Sequence, residues 1–190
     1  MLGFIKRLFE RQDALAQDIA AILDAERQKW RSISTEELAA LTDGELVAAA
    51  RTRIDVLCDE VGDSTAAATR LNGEQRVLRA VAFYEAEMWQ GGLCQYFVND
   101  GGLFAPMLSD ALAAVGADAH RAQFDAFVRE HSIDLHTLEP FSVGGYPSMS
   151  ECREAMGKRY PLDDFDAAFY ELPSPMAGMA SYIRAHITAF

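Results

Sequence analysis

Residues 87–100, EMWQGGLCQYFVND, decide how this chain folds, because two consecutive glycines separate two helical patterns of apolar residues. The first pattern covers residues 73–89, and the second covers residues 93–99. Glycine adopts the left-handed backbone conformation that ends a helix at little steric cost. The stretch therefore predicts a helix–glycine–helix corner, which turns at Gly91 or Gly92.

The second of these helices carries two kinds of side chain that stabilise the corner. Leu93, Tyr96 and Phe97 form its predicted buried side and anchor it in the core. Gln95 and Asn99 are four residues apart, so they share another face of the helix. We expect these two side chains to brace the corner by hydrogen-bonding each other or exposed backbone groups.

Helical periodicity also dominates the rest of the chain. Apolar residues recur at helical spacings over residues 4–30, and the pairs Ser-Thr at 34–35 and Thr-Asp at 42–43 are suited to cap the next helices. Few stretches show the alternation of β-branched residues that is typical of strands. We predict an all-α fold, a multi-helix array that forms a single domain over residues 1–190.

Two segments lack this periodicity. Residues 64–75, STAAATRLNGEQ, combine serine, threonine, asparagine and glycine and are predicted to form a connecting loop or short turn. Residues 132–150 contain two prolines and two glycines and are predicted to form one irregular, ordered loop. Neither segment has the composition of a linker between domains.

Charge is the clearest signal in the composition. The 190-residue chain has a formal net charge of −12 at pH 7, and residues 81–140 carry nine acidic and two basic side chains. Direct binding to nucleic acid requires clustered lysine and arginine, so this composition argues against it. An acidic surface instead keeps a protein soluble or attracts a basic protein partner.

Cysteine usage and hydropathy set further limits. Cys58, Cys94 and Cys152 are far apart in the sequence and no CxxC motif accompanies them, so they indicate neither a zinc site nor a disulfide framework. The sequence has no apolar run of about 18 residues and no signal-peptide pattern. We predict a cytoplasmic protein without membrane contact that needs no metal or other cofactor.

Patterns that indicate catalysis are weak. The four histidines lie outside any recognisable motif, and the glycines of residues 91–102 lack the order and the following lysine of a phosphate-binding loop. Glu85 and Glu87 are two residues apart, which places them on different faces of a helix. We therefore predict a non-catalytic protein. The alternative is an enzyme or small-molecule-binding protein with a pocket at the glycine corner, where polar groups adjoin aromatic rings.

The corner also carries a resemblance to a known family. Its acidic helix end, two glycines and Gln-Tyr-Phe-x-Asn resemble the signature of the bacterial DNA-mimic protein family and its uncharacterised relatives, although Leu93 stands where phenylalanine is usual. The later segment DDFDAAFYEL is similar to the family's acidic segment ending in Phe-Tyr. The likeness covers residues 75–188, whereas residues 1–70 resemble no recognised family. The matching signature residues are Gly91, Gly92, Gln95, Tyr96, Phe97 and Asn99.

This resemblance implies a partner and a mechanism. It implies an acidic, helical homodimer that imitates double-stranded DNA and occupies the basic surface of a DNA-binding protein. Such mimicry requires rows of carboxylates, because duplex DNA presents about one charge per 1.7 Å of its axis. Asp55, Asp59 and Asp63 repeat every four residues and should line one helical edge. The candidate partner-binding residues are Asp55, Asp59, Glu60, Asp63, Asp118, Asp125, Glu130 and Asp134.

Two other interpretations of the acidic residues stay open. In the first, the acidic residues form an ordinary solvated face, which Arg51 and Arg53 partly neutralise. In the second, they belong to an accessory protein that binds one partner without imitating DNA. Competition with duplex DNA separates these interpretations, because a mimic should displace the duplex from a DNA-binding protein with an affinity that falls as the salt concentration rises.

Overall fold

The computed structural model describes residues 21–22, 24–25, 27–61, 64–99, 101–141, 146 and 148–190. Within these ranges the chain forms helices and turns but no β-strand, which confirms the predicted all-α fold class. Residues 27–32 are helical, and the part of the predicted helix over residues 4–30 that precedes residue 21 lies outside the described residues. The candidate residue Asp63 also lies outside them.

The helices are numbered here in chain order. They are α1 (Thr35–Ala39), α2 (Asp43–Asp59), α3 (Ser64–Arg70), α4 (Gly73–Val98), α5 (Gly101–Ala114), α6 (Asp118–Glu130), α7 (Met149–Gly157), α8 (Leu162–Tyr170) and α9 (Met176–Ala185). Two short 3-10 helices, Glu139–Phe141 and Ile187–Ala189, are also among the described elements.

Capping boxes determine where three of these helices begin. At the start of α1, the Glu37 N–H donates to Ser34 Oγ at 3.2 Å, and the Ser34 N–H donates to the Glu37 carboxylate at 2.8 Å. These bonds satisfy backbone donors that have no partner within the helix. Of the cap candidates Ser34 or Thr35 and Thr42 or Asp43, the caps are Ser34 and Thr42. Thr42 with Glu45 begins α2, and Asn72 with Gln75 begins α4.

The predicted loop over residues 64–75 is wrong. Residues Ser64–Arg70 form helix α3, and the connection to α4 is only residues 71–72. The polar residues of this segment indicated a turn. Residues 66–68 are three alanines, however, and alanine has the highest helix propensity of any residue type. Burial of Leu71 then fixes the end of the helix against the core.

The predicted loop over residues 132–150 is shorter and more structured than expected. It contains the 3-10 helix Glu139–Phe141, and α7 begins within it at Met149. Phe141 is buried and stacks on Tyr160, with ring centroids 5.5 Å apart. Residues 142–145 and 147 lie outside the described residues. The contact with Tyr160 anchors the 3-10 helix in the core at Phe141.

Helix α4 is the centre of the fold. Helix α5 packs along it, and α7 and α8 also pack against it. Helix α9 packs on α2, where Arg184 Nη1 lies 2.6 Å from the Asp43 carboxylate. The part of the chain before residue 70 therefore contacts the last helix directly. In the described part of the chain, no helix is both long and apolar enough to cross a membrane.

Candidate functional site

The glycine corner forms as predicted, and it turns at Gly92. Gly92 has φ 75° and ψ −170°, whereas the residues on both sides of it within α4 are helical. This backbone conformation is essentially restricted to glycine. A Cβ atom at this position would also overlap the carboxylate of Asp166 on α8. Both the backbone conformation and the close packing therefore require glycine at residue 92.

The break in α4 leaves backbone groups that two other helices satisfy. The Leu93 N–H donates to Asp166 Oδ1 at 2.9 Å, and Arg153 on α7 donates to the Gly91 carbonyl. Arg153 Nη2 also lies 2.9 Å from Asp166 Oδ2 and 3.0 Å from Asp163 Oδ1. Burial raises the pKa of Asp166, and the bonds from Leu93 and Arg153 offset part of that rise. The corner is thus held by a buried carboxylate and its arginine.

Gln95 and Asn99 brace the corner, but through a partner that the sequence did not indicate. Gln95 Nε2 donates to Glu87 Oε2 at 2.9 Å, and Asn99 Nδ2 donates to the same oxygen at 2.8 Å. Among the described residues they bond neither each other nor exposed backbone groups, because the buried Glu87 carboxylate lies between them and accepts from both. These bonds cross the break in α4 and connect its two halves.

We expect Asn99→Ala to lower the free energy of unfolding by about 1–2 kcal/mol, because it removes a hydrogen bond to a buried carboxylate. Gln95→Ala should have a similar effect, and the two losses should not add, since both bonds end on Glu87 Oε2. Urea unfolding monitored by circular dichroism measures each loss. Gln90→Ala is the matched control, because its exposed side chain should change stability by less than about 0.5 kcal/mol. Unchanged stability of both Asn99→Ala and Gln95→Ala would contradict the brace.

Aromatic rings fill the interior beneath the corner. Tyr84 contacts Tyr96 edge to face, with ring centroids 5.2 Å apart, and also packs on Phe169. Burial raises the pKa of both tyrosine hydroxyls, so they stay protonated at neutral pH. Burial and the neighbouring Cys152 raise the pKa of the Cys94 thiol to about 12. Neither the tyrosines nor this thiol is therefore activated as a base or nucleophile.

A cavity of about 310 Å³ lies away from the corner. None of the corner residues lines it, so it does not correspond to the pocket considered as an alternative from the sequence. The cavity is lined by Arg27, Arg31, Arg53, Val56, Leu57, Glu60, Gln75 and Phe190.

Arg53 does not pair with the acidic row as expected, because its guanidinium donates to backbone carbonyls at Trp30, Ile33 and Phe190.

The candidate carboxylates of α2 and the residue after it are paired with arginines from other helical segments. These arginines differ from Arg51 and Arg53, which lie on α2 itself. The pairs are partly or largely exposed, so each contributes little stability, but each reduces the local negative charge. They are Asp55 with Arg79, Asp59 with Arg27 at 3.0 Å, and Glu60 with Arg31 at 3.2 Å.

The other candidate carboxylates lie on α6 and in the turn after it. Asp118 and Glu130 are exposed at its two ends, and no lysine or arginine partner is seen for either among the described residues. Asp134 is also exposed and accepts a hydrogen bond from the His136 N–H at 2.9 Å. Asp125 pairs with Arg121 at 3.5 Å and accepts from Ser109 Oγ at 3.0 Å. Asp118, Asp125, Glu130 and Asp134 therefore retain more unpaired negative charge than the α2 group, which consists of Asp55, Asp59 and Glu60.

Comparison with known proteins identifies a family for most of the chain. The sequence model described as DMP19-like protein matches residues 69–186, which include the glycine corner and helices α4 to α9. The matched region is close to the residues 75–188 that carry the resemblance in the sequence. No curated protein and no solved structure matches the chain significantly.

Proposed function

The chain belongs to the DMP19-like protein family, and we propose that it is a DNA mimic that occupies the basic surface of a DNA-binding protein. The observation that carries this proposal is the net charge of −12, most of whose excess lies in residues 81–140, inside the matched region. A basic DNA-binding surface attracts such a partner at long range and speeds its association.

The α6 group of carboxylates suits this role better than the α2 group. We define the α6 group as Asp118, Asp125, Glu130 and Asp134. Asp118 and Asp125 are seven residues apart, so they lie within about 20° of each other around the helix and about 10 Å apart along it. Phosphates of one DNA strand recur about every 3.4 Å along the axis, so this spacing corresponds to roughly three phosphates. The Arg121–Asp125 pair is partly exposed, and an arginine of the partner can compete for Asp125.

Release of proteins from immobilised DNA tests the proposal. Proteins of the source cell are bound to duplex DNA at about 50 mM salt and then eluted with the purified chain. We expect the wild type to release DNA-binding proteins, and a variant carrying Asp118→Asn, Glu130→Gln and Asp134→Asn to release at least about tenfold less at equal concentration.

A second variant controls for net charge. Asp59→Asn, Glu60→Gln and Glu154→Gln remove three carboxylates that already have basic partners, so the net charge rises by the same amount. This control should release DNA-binding proteins nearly as well as the wild type. If the wild type released no more than the α6 variant, or if the two variants were equally impaired, the assignment to the α6 group would be wrong.

A further inference from the structure

Two aromatic side chains at the glycine corner are unusually exposed. Trp89 is 64% exposed and Tyr170 is 45% exposed, and their ring centroids are 5.0 Å apart. Contacts with the core hold both side chains in place. The Tyr170 hydroxyl donates to the Met88 carbonyl at 3.0 Å, and the Trp89 ring contacts the buried Phe169. Trp89 and Tyr170 therefore form a fixed aromatic surface on the outside of the core.

The surroundings of this aromatic pair are acidic. Glu85 is one helical turn before Trp89, and its carboxylate accepts from Ser174 Oγ at 2.9 Å, while the exposed Glu171 directly follows Tyr170. Residues 80–120, which contain Trp89, and residues 160–183, which contain Tyr170, have no lysine or arginine. Arg153, which donates to the Gly91 carbonyl, is already paired with Asp163 and Asp166. We call Glu85, Trp89, Tyr170 and Glu171 the aromatic–acidic patch.

Other aromatic rings of the protein already have a cation of their own. Lys29 lies over Trp30, Arg79 over Phe83 and Arg159 over Tyr160, with cation-to-centroid distances from 3.8 to 5.4 Å. Among the described residues, no such cation lies over Trp89 or Tyr170. The aromatic–acidic patch thus offers a ring surface and carboxylates without an internal cation to satisfy them.

We infer that the aromatic–acidic patch binds an arginine or lysine side chain of a basic protein partner. The ring faces attract a cation, arginine more often than lysine, and the two flanking carboxylates add charge attraction. A neutral apolar partner fits less well, because it would desolvate Glu85 and Glu171 without pairing them. Exposed tryptophan and tyrosine side chains are also the residues that most often dominate binding energy.

This inference rests on the proposed function, because it supplies the anchor by which a basic DNA-binding protein would be held. The start of α6 lies near the patch: His120, in its first turn, has Nε2 at 2.8 Å from the Pro173 carbonyl, and Pro173 directly precedes the Ser174 that binds Glu85. Asp118, two residues before His120, thus connects the α6 group to the part of the fold that carries the patch.

Binding of a fluorescein-labelled octa-arginine peptide, measured by anisotropy, tests the inference without any cellular partner. Trp89→Leu keeps an apolar side chain but removes the aromatic ring, and we expect it to weaken peptide binding by about tenfold. Trp89→Phe restores a ring and should weaken binding by less than about threefold. Leu103→Ala, at another exposed apolar side chain, is the control and should bind as the wild type does.

The possible results separate this inference from the proposed function. If Trp89→Leu bound the peptide as tightly as the wild type, the inference would be wrong, even if the α6 variant failed to release proteins from DNA. If Trp89→Leu lost peptide binding but the wild type released nothing from DNA, the patch would stand and the proposed function would fail. Conversion of a wild-type dimer to a monomer by Trp89→Leu, without weaker peptide binding, would make the patch a self-association surface and overturn the inference.

Discussion

Gly92→Ala is expected to lower the free energy of unfolding by about 4 kcal/mol or more. A non-glycine residue at φ 75° and ψ −170° costs about 1–3 kcal/mol in backbone strain. The added Cβ also overlaps the Asp166 carboxylate, so Asp166 must move away from the Leu93 N–H and from Arg153. Loss of those buried interactions adds to the strain.

Gly44→Ala is the matched control for this substitution. Gly44 lies in the first turn of α2, and a Cβ there would meet no atom within 4 Å. Alanine should therefore stabilise the protein by about 0.5–1 kcal/mol, the opposite sign from Gly92→Ala. Urea unfolding followed by circular dichroism measures both. A Gly92→Ala variant within about 1 kcal/mol of the wild type would show that the corner does not require glycine.

Asp166→Ala is expected to lower the free energy of unfolding by about 2–4 kcal/mol. The Leu93 N–H is buried and would lose its acceptor, which costs about 1–3 kcal/mol. Arg153 would lose its buried partner, but its side chain is 39% exposed and retains Asp163, so water and Asp163 limit this second loss.

Two comparisons sharpen the measurement at Asp166. Asp164→Ala, in the same turn of α8, removes an exposed carboxylate and should change stability by about 0.5 kcal/mol or less. In the double variant Gly92→Ala with Asp166→Ala, the overlap with the added Cβ disappears. The two losses should therefore sum to more than the double variant loses. Strict additivity would contradict the contact between Gly92 and Asp166.

Local patterns explain the parts of the fold that the sequence predicted. The corner at Gly91–Gly92 and the caps at Ser34 and Thr42 depend on residues within four positions of each other, so their chemistry is visible in a short stretch. Composition alone does not identify helix α3, because the serine, threonines, asparagine and glycine of residues 64–75 favour a turn. A run of three alanines was the signal that would have identified it.

The stabilising contacts of the corner were not predictable in the same way. Asp166 is 73 residues after Leu93, and Arg153 lies on a third helix, so only the packing of α4, α7 and α8 brings them together. The role of Glu87 is easier to predict from the sequence than that of Asp166 or Arg153. Glu87 lies eight residues before Gln95 and twelve before Asn99, so a break in the helix between Glu87 and Gln95 brings all three side chains to one side.

The ion pairs of the acidic residues also depend on packing that a short stretch of sequence does not reveal. Periodicity along α2 predicts Asp55 and Asp59 on one edge, but it does not show which cations face that edge from elsewhere. Arg79 comes from α4 and Arg27 from the helical segment before α1. Arg53, which is closer in sequence, turns to backbone carbonyls instead. Charge counting therefore predicted an acidic surface but not which part of it keeps its charge.

DNA mimicry requires that this chain and duplex DNA compete for one basic surface. It is tested most directly with a DNA-binding protein released in the elution experiment, bound to a fluorescent duplex and titrated with the chain. We predict that the anisotropy falls to that of the free duplex, and that the affinity of the chain for the DNA-binding protein falls at least about tenfold between 50 and 200 mM salt. A ternary complex with the duplex still bound, or an affinity independent of salt, would contradict DNA mimicry.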